Sequence, residues 1–312
     1  MSNDVRQNSS NDLNEPFTNY IAVNFKTNLN SNHFKADCPT IVQGKFNHGI
    51  PTKNYREWIN NQSDSNPEYL FAMTSVKGSW YPNDCIPVHD SIAVILPIRG
   101  RPQQLQIYLS RIHPFLQQQK IPYVIITVNQ TGKEPFNRGI LFNIGVLHTP
   151  QDINCFILSD VDMIPDLYEN MFTCNKTYPK HISSAISRYN YKLNYPTNFG
   201  GIVAFTRDQF VKVNGFSNRY WGWGGEDDDL YRRTRKFFKT ITRVPPHIGR
   251  ITHMDHYKNE SGELNENRFN LLKQDYSYLL DGLNNTMSIC KICKINYYSS
   301  RTSIDISCKQ PQ

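Results

Sequence analysis

Three short runs of branched apolar residues, Ser91–Pro97 (SIAVILP), Tyr123–Val128 (YVIITV) and Asn154–Leu158 (NCFIL), alternate along the chain with two stretches of helical spacing. Gln103–Gln118 sets Leu105, Tyr108, Leu109, Ile112 and Leu116 on one face, and Gly139–Leu147 carries the second helical pattern. Apolar strands alternating with helices mark βαβ units around a parallel sheet. The expected fold class is therefore α/β, a Rossmann-like, mostly parallel sheet flanked by helices, with one main domain over residues 91–290. In such sheets ligands sit at the carboxyl ends of the strands. That directs attention to Pro97–Arg101 after the first run and to Asp160–Asp162 after the third.

Composition removes several alternatives. Aromatic residues make up 12% of the 312, which speaks against a wholly disordered chain. The longest apolar runs, such as Ile92–Ile98, fall well short of the ~18–20 residues that cross a bilayer. Nor does a charged segment followed by an apolar one open the sequence, so neither a membrane span nor a signal peptide is expected in this chain. The 34 Lys and Arg against 27 Asp and Glu leave a net charge of +7 that is spread out. Its densest stretch, Arg232-Arg233-Thr234-Arg235-Lys236, reads as a solvated helix face, and no nucleic-acid partner is expected. Residues 1–35, rich in Asn, Ser and Asp, read as a flexible polar tail. Residues 36–90 read as an irregular part packed on the main domain, and residues 291–312 as a C-terminal tail. Seven cysteines are present; Cys290-x-x-Cys293 has no second pair or nearby His and makes a poor zinc site. Sequons at Asn8, Asn61, Asn129, Asn175, Asn259 and Asn284 would permit glycosylation in a secretory compartment.

Three clusters carry chemistry. Asp160-Val161-Asp162 places two carboxylates on one side of an extended chain, where a hard divalent cation that neutralises a diphosphate would bind. Trp221-Gly222-Trp223-Gly224-Gly225 offers aromatic faces for stacking on sugars, on a backbone free to swing. It runs into Glu226-Asp227-Asp228-Asp229, four acids whose mutual repulsion and burial raise a carboxylate toward the range of a general base. Thr252-His253-Met254-Asp255-His256 can supply transition-metal ligands, and an Asp-plus-His set favours Mn²⁺ over Mg²⁺.

Taken in order, these blocks resemble the β-1,4-galactosyltransferases. The matching blocks are Leu96-Pro97-Ile98-Arg99-Gly100-Arg101, Phe136-Asn137-Arg138, Asp160-Val161-Asp162, Phe199-Gly200-Gly201, Asn214-Gly215-Phe216, the tryptophan and acid run, His253, Arg268-Phe269 and Asp281-Gly282-Leu283-Asn284. The resemblance covers roughly Cys38 to Cys290 and implies a GT-A fold with inverting, metal-dependent transfer from a UDP-sugar. It implies that Pro97, Arg99, Arg101, Phe136, Arg138, Asp160, Val161, Tyr195 and Asn198 line the donor pocket. Asp162 and His253 would hold Mn²⁺, Trp223 would close over the donor, and Asp227 would be the base, with Glu226 beside it. Gly225, Asp228, Arg268 and Phe269 would shape the acceptor site. It further implies disulfides Cys38–Cys85 and Cys155–Cys174, and with them the Golgi lumen or another part of the secretory pathway; Cys290, Cys293 and Cys308 receive no assignment.

Three features depart from the family. Its members are normally membrane-anchored, and no anchor is visible here. Arg250 stands where a Met usually completes the metal site; of the neighbours Met254, Asp255 and His256, His256 is the better ligand chemically. Asn198 replaces a Tyr that restricts the donor to galactose, and the smaller side chain leaves room for a 2-acetamido group. The expectation is galactose transfer from UDP-galactose in β-1,4 linkage to a GlcNAc-terminated acceptor. The alternatives are N-acetylgalactosamine transfer from UDP-GalNAc and a catalytically weak carbohydrate-binding member of the fold.

Overall fold

Six fully enclosed residues in succession leave the strand Ile92–Ile98 no polar face, so both of its sides must be covered. The computed structural model describes residues 36–40, 42–46, 78–254, 263–274 and 277–311; the polar tail expected over 1–35 lies outside them. Its strands are β1 (Ser79–Trp80), β2 (Ile92–Ile98), β3 (Tyr123–Thr131), β4 (Cys155–Leu158), β5 (Met163–Pro165), β6 (Lys180–His181), β7 (Ala185–Ile186), β8 (Val203–Thr206), β9 (Thr242–Arg243), β10 (Arg250–His253), β11 (Cys290–Tyr297) and β12 (Thr302–Cys308). Its helices are α1 (Pro102–Gln118), α2 (Arg138–Leu147), α3 (Arg207–Lys212), α4 (Glu226–Phe237), α5 (Arg268–Lys273) and α6 (Thr286–Ile289).

The pleat sorts the central strands into two core layers. Ile92, Val94 and Leu96 of β2 and Tyr123 and Ile125 of β3 pack with Leu105, Tyr108, Leu109, Ile112 and Leu116 of α1. Ala93, Ile95, Val124, Ile126 and Val128 face the other way, onto Ile140, Leu141, Phe142 and Ile144 of α2. Helix α2 rides so close to the sheet that a Cβ at Gly145 would collide with Ile95. Pro102, at the start of α1, needs no hydrogen-bond partner there, and Asn137 caps α2 by accepting the Ile140 N–H at 3.0 Å.

The main sheet runs β11-β12-β3-β2-β4-β8-β6-β9, with β1 paired to the start of β3. Its centre, β12-β3-β2-β4, is parallel as the alternation requires. Beyond β4 the chain returns antiparallel in β8 and β6, and β11 turns back antiparallel on β12, so the sheet as a whole is mixed. A small second sheet, β5-β10-β7, stands beside it. Disulfides Cys38–Cys85 and Cys155–Cys174 form as the resemblance implied.

The segment expected as a C-terminal tail is instead part of the sheet. Strand β12 pairs in parallel with β3 over six residues, Ile304 and Ile306 are fully buried in the α2-side core, and Cys290 bonds Cys308 across the hairpin. The cause is visible in Thr302-Ser303-Ile304-Asp305-Ile306-Ser307-Cys308, whose alternation gives the strand an apolar face that β3 alone leaves uncovered. Among the described residues Cys293 is the free cysteine. Replacing Ile306 by Ala is expected to cost about 2–5 kcal/mol in urea unfolding. A dispensable tail would give no change.

Candidate active site

Asp160 and Asp162 follow the carboxyl end of β4, as the sheet rule required. They are held by different cations. Arg138, the first residue of α2, grips Asp160 with two bonds, Nε to Oδ1 at 2.6 Å and Nη2 to Oδ2 at 3.1 Å. The same guanidinium reaches Glu226 Oε1 at 3.3 Å and donates to the Gly201 carbonyl at 3.3 Å. It lies over the rings of Phe142 and Phe216. Burial works against its charge, but Asp160 and Glu226 overcome that and hold Arg138 above its ordinary value. Asp162 Oδ2 lies 3.3 Å from Arg101 Nη1 and 3.5 Å from His253 Nε2.

The acid run forms the first turn of α4, where the helix dipole favours negative charge. Gly225, the N-cap, has φ of 93°, and a Cβ there would meet the Tyr220 ring, so only glycine enters the helix this way. The four acids then divide. Glu226 turns to Arg138. Asp227 lies against the backbone of Gly200, where a Cβ would strike its carboxylate. Asp228 accepts the Tyr195 hydroxyl at 2.9 Å. Asp229 is structural: it pairs with fully buried Arg233 at 2.6 Å, and Arg233 also holds Asp281 at 3.0 Å. The i, i+4 spacing of Asp229 and Arg233 carried that signal, and it makes part of the basic stretch a buried anchor rather than a solvated face.

Burial first, and the neighbouring Asp227 charge second, push Glu226 up to about 7 against the pull of Arg138. Burial, together with Asp228, raises Asp227. Burial also raises Asp160, with Arg138 opposing.

A cavity of about 390 Å³ collects Arg138, Asp160, Asp162, Tyr195, Asn198, Trp223, Gly225, Glu226, Asp227, Asp228, His253, Arg268 and Phe269. Pro97, Arg99, Phe136 and Val161 do not line it. Pro97 is buried within β2 and Val161 is buried in the α1-side core. Arg99 donates to the Glu134 carbonyl at 2.6 Å and stacks on Phe136. Arg101 joins the site through Asp162. The two tryptophans do not form one surface, because Trp221 is sunk in the α2-side core while Trp223, 58% exposed, stands at the cavity's lip. The Trp223 segment is pinned by backbone bonds to Glu263 and Asn265.

Of the candidate metal ligands, His256 lies outside the described residues. Met254 is buried in the core, and Arg250 is engaged elsewhere, 3.7 Å from Asp166 and over the Tyr191 ring. Asp162 and His253 converge closely enough for one cation to bind both, and their oxygen and nitrogen donors suit Mn²⁺. Among the described residues no third His, Cys, Asp or Glu joins them.

Sequence reasoning missed the support behind Asn198 and Gly200. Arg243 donates to His181 Nδ1, to the Asn198 carbonyl at 3.0 Å and to the Pro196 carbonyl at 3.2 Å. Receiving that bond fixes the His181 tautomer, so Nε2–H donates to the Gly200 carbonyl at 3.0 Å. Burial and the Arg243 charge push His181 down to about 3, and it stays neutral. No sequence motif marks this pair, since β6 and β9 meet only in the folded sheet.

Residues 48–175 match the N-terminal region of glycosyl transferase group 7, and residues 180–257 match a second family description, the N-terminal domain of galactosyltransferase. Beta-1,4-galactosyltransferase 4 of Cricetulus griseus is 42% identical over 199 residues, 63% of this chain and 57% of that protein. Beta-1,4-galactosyltransferase 3 of Homo sapiens is 40% identical over 210 residues, 66% of this chain and 53% of its own length. The matched region thus spans little more than half of these curated relatives. In structure, a mutant Drosophila β-1,4-galactosyltransferase 7 in complex with manganese, UDP-Gal and xylobiose superimposes with a TM-score of 0.55. That match has 24% identity and takes in 70% of this chain and 94% of the other, which establishes a shared GT-A fold. The mixed sheet, the two carboxylates at the end of β4 and the acid turn facing them have a common explanation: the chain belongs to glycosyltransferase group 7, the family of the β-1,4-galactosyltransferases.

Proposed function

We propose that the chain is a metal-dependent, inverting glycosyltransferase that moves galactose from UDP-galactose onto a GlcNAc-terminated acceptor in β-1,4 linkage, with Asp227 as general base. The observation that carries the reading is that Asp227, raised by burial and by Asp228, shares one cavity with the Asp162–His253 pair. When bound there, Mn²⁺ would supply positive charge to the departing diphosphate. Asp162 and His253 would hold it, and Arg101 would stay close enough to Asp162 to turn toward the same phosphates.

On the other wall, Asp227 takes the proton from the attacking hydroxyl. Its raised affinity for protons makes it a stronger base than an ordinary carboxylate. Asp228, oriented by Tyr195, and the exposed Phe269 ring position the acceptor sugar, and Trp223 covers the donor from the lip. Glu226, tied to Arg138, keeps the two walls in register. The three disulfides fit folding in the oxidising lumen of the secretory pathway, and the activity fits residence in the Golgi.

A second reading, transfer from UDP-GalNAc, is favoured by Asn198, whose short side chain faces the cavity. UDP release measured with Mn²⁺ and GlcNAc is expected to proceed with UDP-galactose and to stop on chelation. Asn198→Tyr is expected to lower the rate with UDP-GalNAc relative to UDP-galactose by about 10-fold or more. An unchanged ratio would remove Asn198 from donor selection. A carbohydrate-binding module without turnover would instead bind sugar in the absence of Mn²⁺ and UDP.

Because burial and the Asp228 charge raise Asp227, the acid limb of kcat/KM is expected at higher pH than an ordinary aspartate would give. Asp228→Asn removes a charge that raises Asp227, so the limb should move down. A limb left in place would exclude Asp227 as the titrating base. For stability the sign is the reverse of a salt-bridged acid. Between its ordinary 4.5 and about 7, Glu226 holds a proton in the folded chain but not in the unfolded one. Its contribution therefore falls as pH rises through that window, and Glu226→Gln should flatten the slope seen in denaturant unfolding.

A further inference from the structure

We propose that Asn175 carries an N-linked glycan, placed at the end of the sheet opposite the active-site cavity. The inference rests on the reading that the chain folds in an oxidising secretory lumen, and it follows from how the fold treats the three sequons among the described residues.

Asn129 lies inside β3, between β2 and β12, and its Nδ2 donates to Asp305 Oδ1 of β12 at 3.0 Å. A sugar on that nitrogen would displace the Asp305 carboxylate to which it is bonded across the two strands. Asn284 is clamped at both side-chain atoms, its Nδ2 donating to the Leu279 carbonyl at 2.6 Å and its Oδ1 accepting from Asn214 at 2.9 Å. Asn175 differs. Its Oδ1 accepts the backbone N–H groups of Thr177 at 2.9 Å and Tyr178 at 3.0 Å, while its own carbonyl accepts from Gln209 at 2.9 Å. This local turn engages the oxygen and leaves Nδ2 as the atom available for a bond. Lys176 and Thr177 are exposed, and the neighbouring Cys174 is tied to Cys155, so the sequon is presented on a fixed segment.

The surroundings have room for the first sugars. A polar cavity of about 760 Å³ adjoins the segment, with Tyr81, His89, Asp90, Thr173, Lys176 and Asp208 among its walls. The cavity also touches Ile92, Pro122 and Cys155, at the amino ends of β2, β3 and β4. Asp160 and Asp162 follow the carboxyl end of β4, so a glycan at Asn175 leaves the catalytic cavity open. The modification itself is a group transfer from a polyprenyl-pyrophosphate-linked oligosaccharide, performed by the host's oligosaccharide-transferring enzyme. The Asn175 Nδ2 bonds to the anomeric carbon, the bond from that carbon to the pyrophosphate oxygen breaks, the amide gives up one proton, and the lipid pyrophosphate leaves.

The test is peptide mapping of the full chain, directed into the secretory pathway of cultured animal cells and enzymatically deglycosylated in heavy-oxygen water. That treatment marks each formerly glycosylated asparagine as heavy aspartate. The expected result is a mark at Asn175 and none at Asn129 or Asn284. Asn175→Gln and Thr177→Ala should each remove one glycan while leaving UDP-release rates unchanged. An unmarked Asn175 in secreted protein whose thiol titration finds only one free cysteine would overturn the assignment, as would a mark at Asn129 in the folded protein. The two readings fail separately: a marked Asn175 on a protein without transferase activity sinks the proposed reaction and leaves the glycan standing, and an unmarked one on an active enzyme does the opposite.

Discussion

The Arg138 guanidinium stands between Asp160, on the loop after β4, and Glu226, in the first turn of α4. Both loops bring acid to the same place for chemical reasons, and without a cation between them the two walls would repel. Placing that cation at the first residue of α2 makes its position a property of the sheet, because α2 is packed against β2 and β3. The rings of Phe142 and Phe216 close over the guanidinium and keep water from it on one side. The family resemblance implies that Arg138 lines the donor pocket. In the fold its bonds to Asp160, Glu226 and the Gly201 carbonyl also tie the two walls of the site together.

From that centre the remaining constraints follow. Glu226 and its three acidic neighbours start a helix, so their charge is favoured by the dipole as well as by Arg138. Asp227 can come to rest against the chain at Gly200 only because no side chain is there. Gly200 is in turn held from behind by His181, which Arg243 keeps neutral and in one tautomer. The raised proton affinities of Glu226 and Asp227 are thus the consequence of crowding carboxylates into a largely enclosed space with one compensating cation.

Much of this is legible in the amino-acid sequence alone. The three apolar runs are β2, β3 and β4, and the rule that ligands sit at strand carboxyl ends locates Asp160 and Asp162. Local pattern carries such information because burial on both faces leaves no polar residue in the run. What escapes is set by contacts distant in sequence. Trp221 and Trp223 look alike in the motif, yet one is core and the other lip, because Gly222, which follows the buried Tyr220–Trp221 pair, is bound to the Phe136 carbonyl. Arg250 stands where a metal-binding Met is usual; in the fold it is occupied by Asp166 and Tyr191. The C-terminal hairpin does show strand alternation, but its place beside β3 depends on an uncovered edge that only the assembled sheet reveals.

The central claim is that Arg138 compensates two carboxylates that would otherwise face each other unpaired. Denaturant unfolding of Arg138→Gln against the parent at pH 8 and at pH 5 tests it most directly. Leaving largely buried carboxylates without their cation should cost about 3–5 kcal/mol at pH 8. At pH 5, where Glu226 is protonated in the folded chain and Asp160 takes up a proton more readily once the cation is gone, the cost should shrink markedly. A loss of the same size at both pH values would mean that Arg138 contributes packing rather than charge, and would contradict the claim.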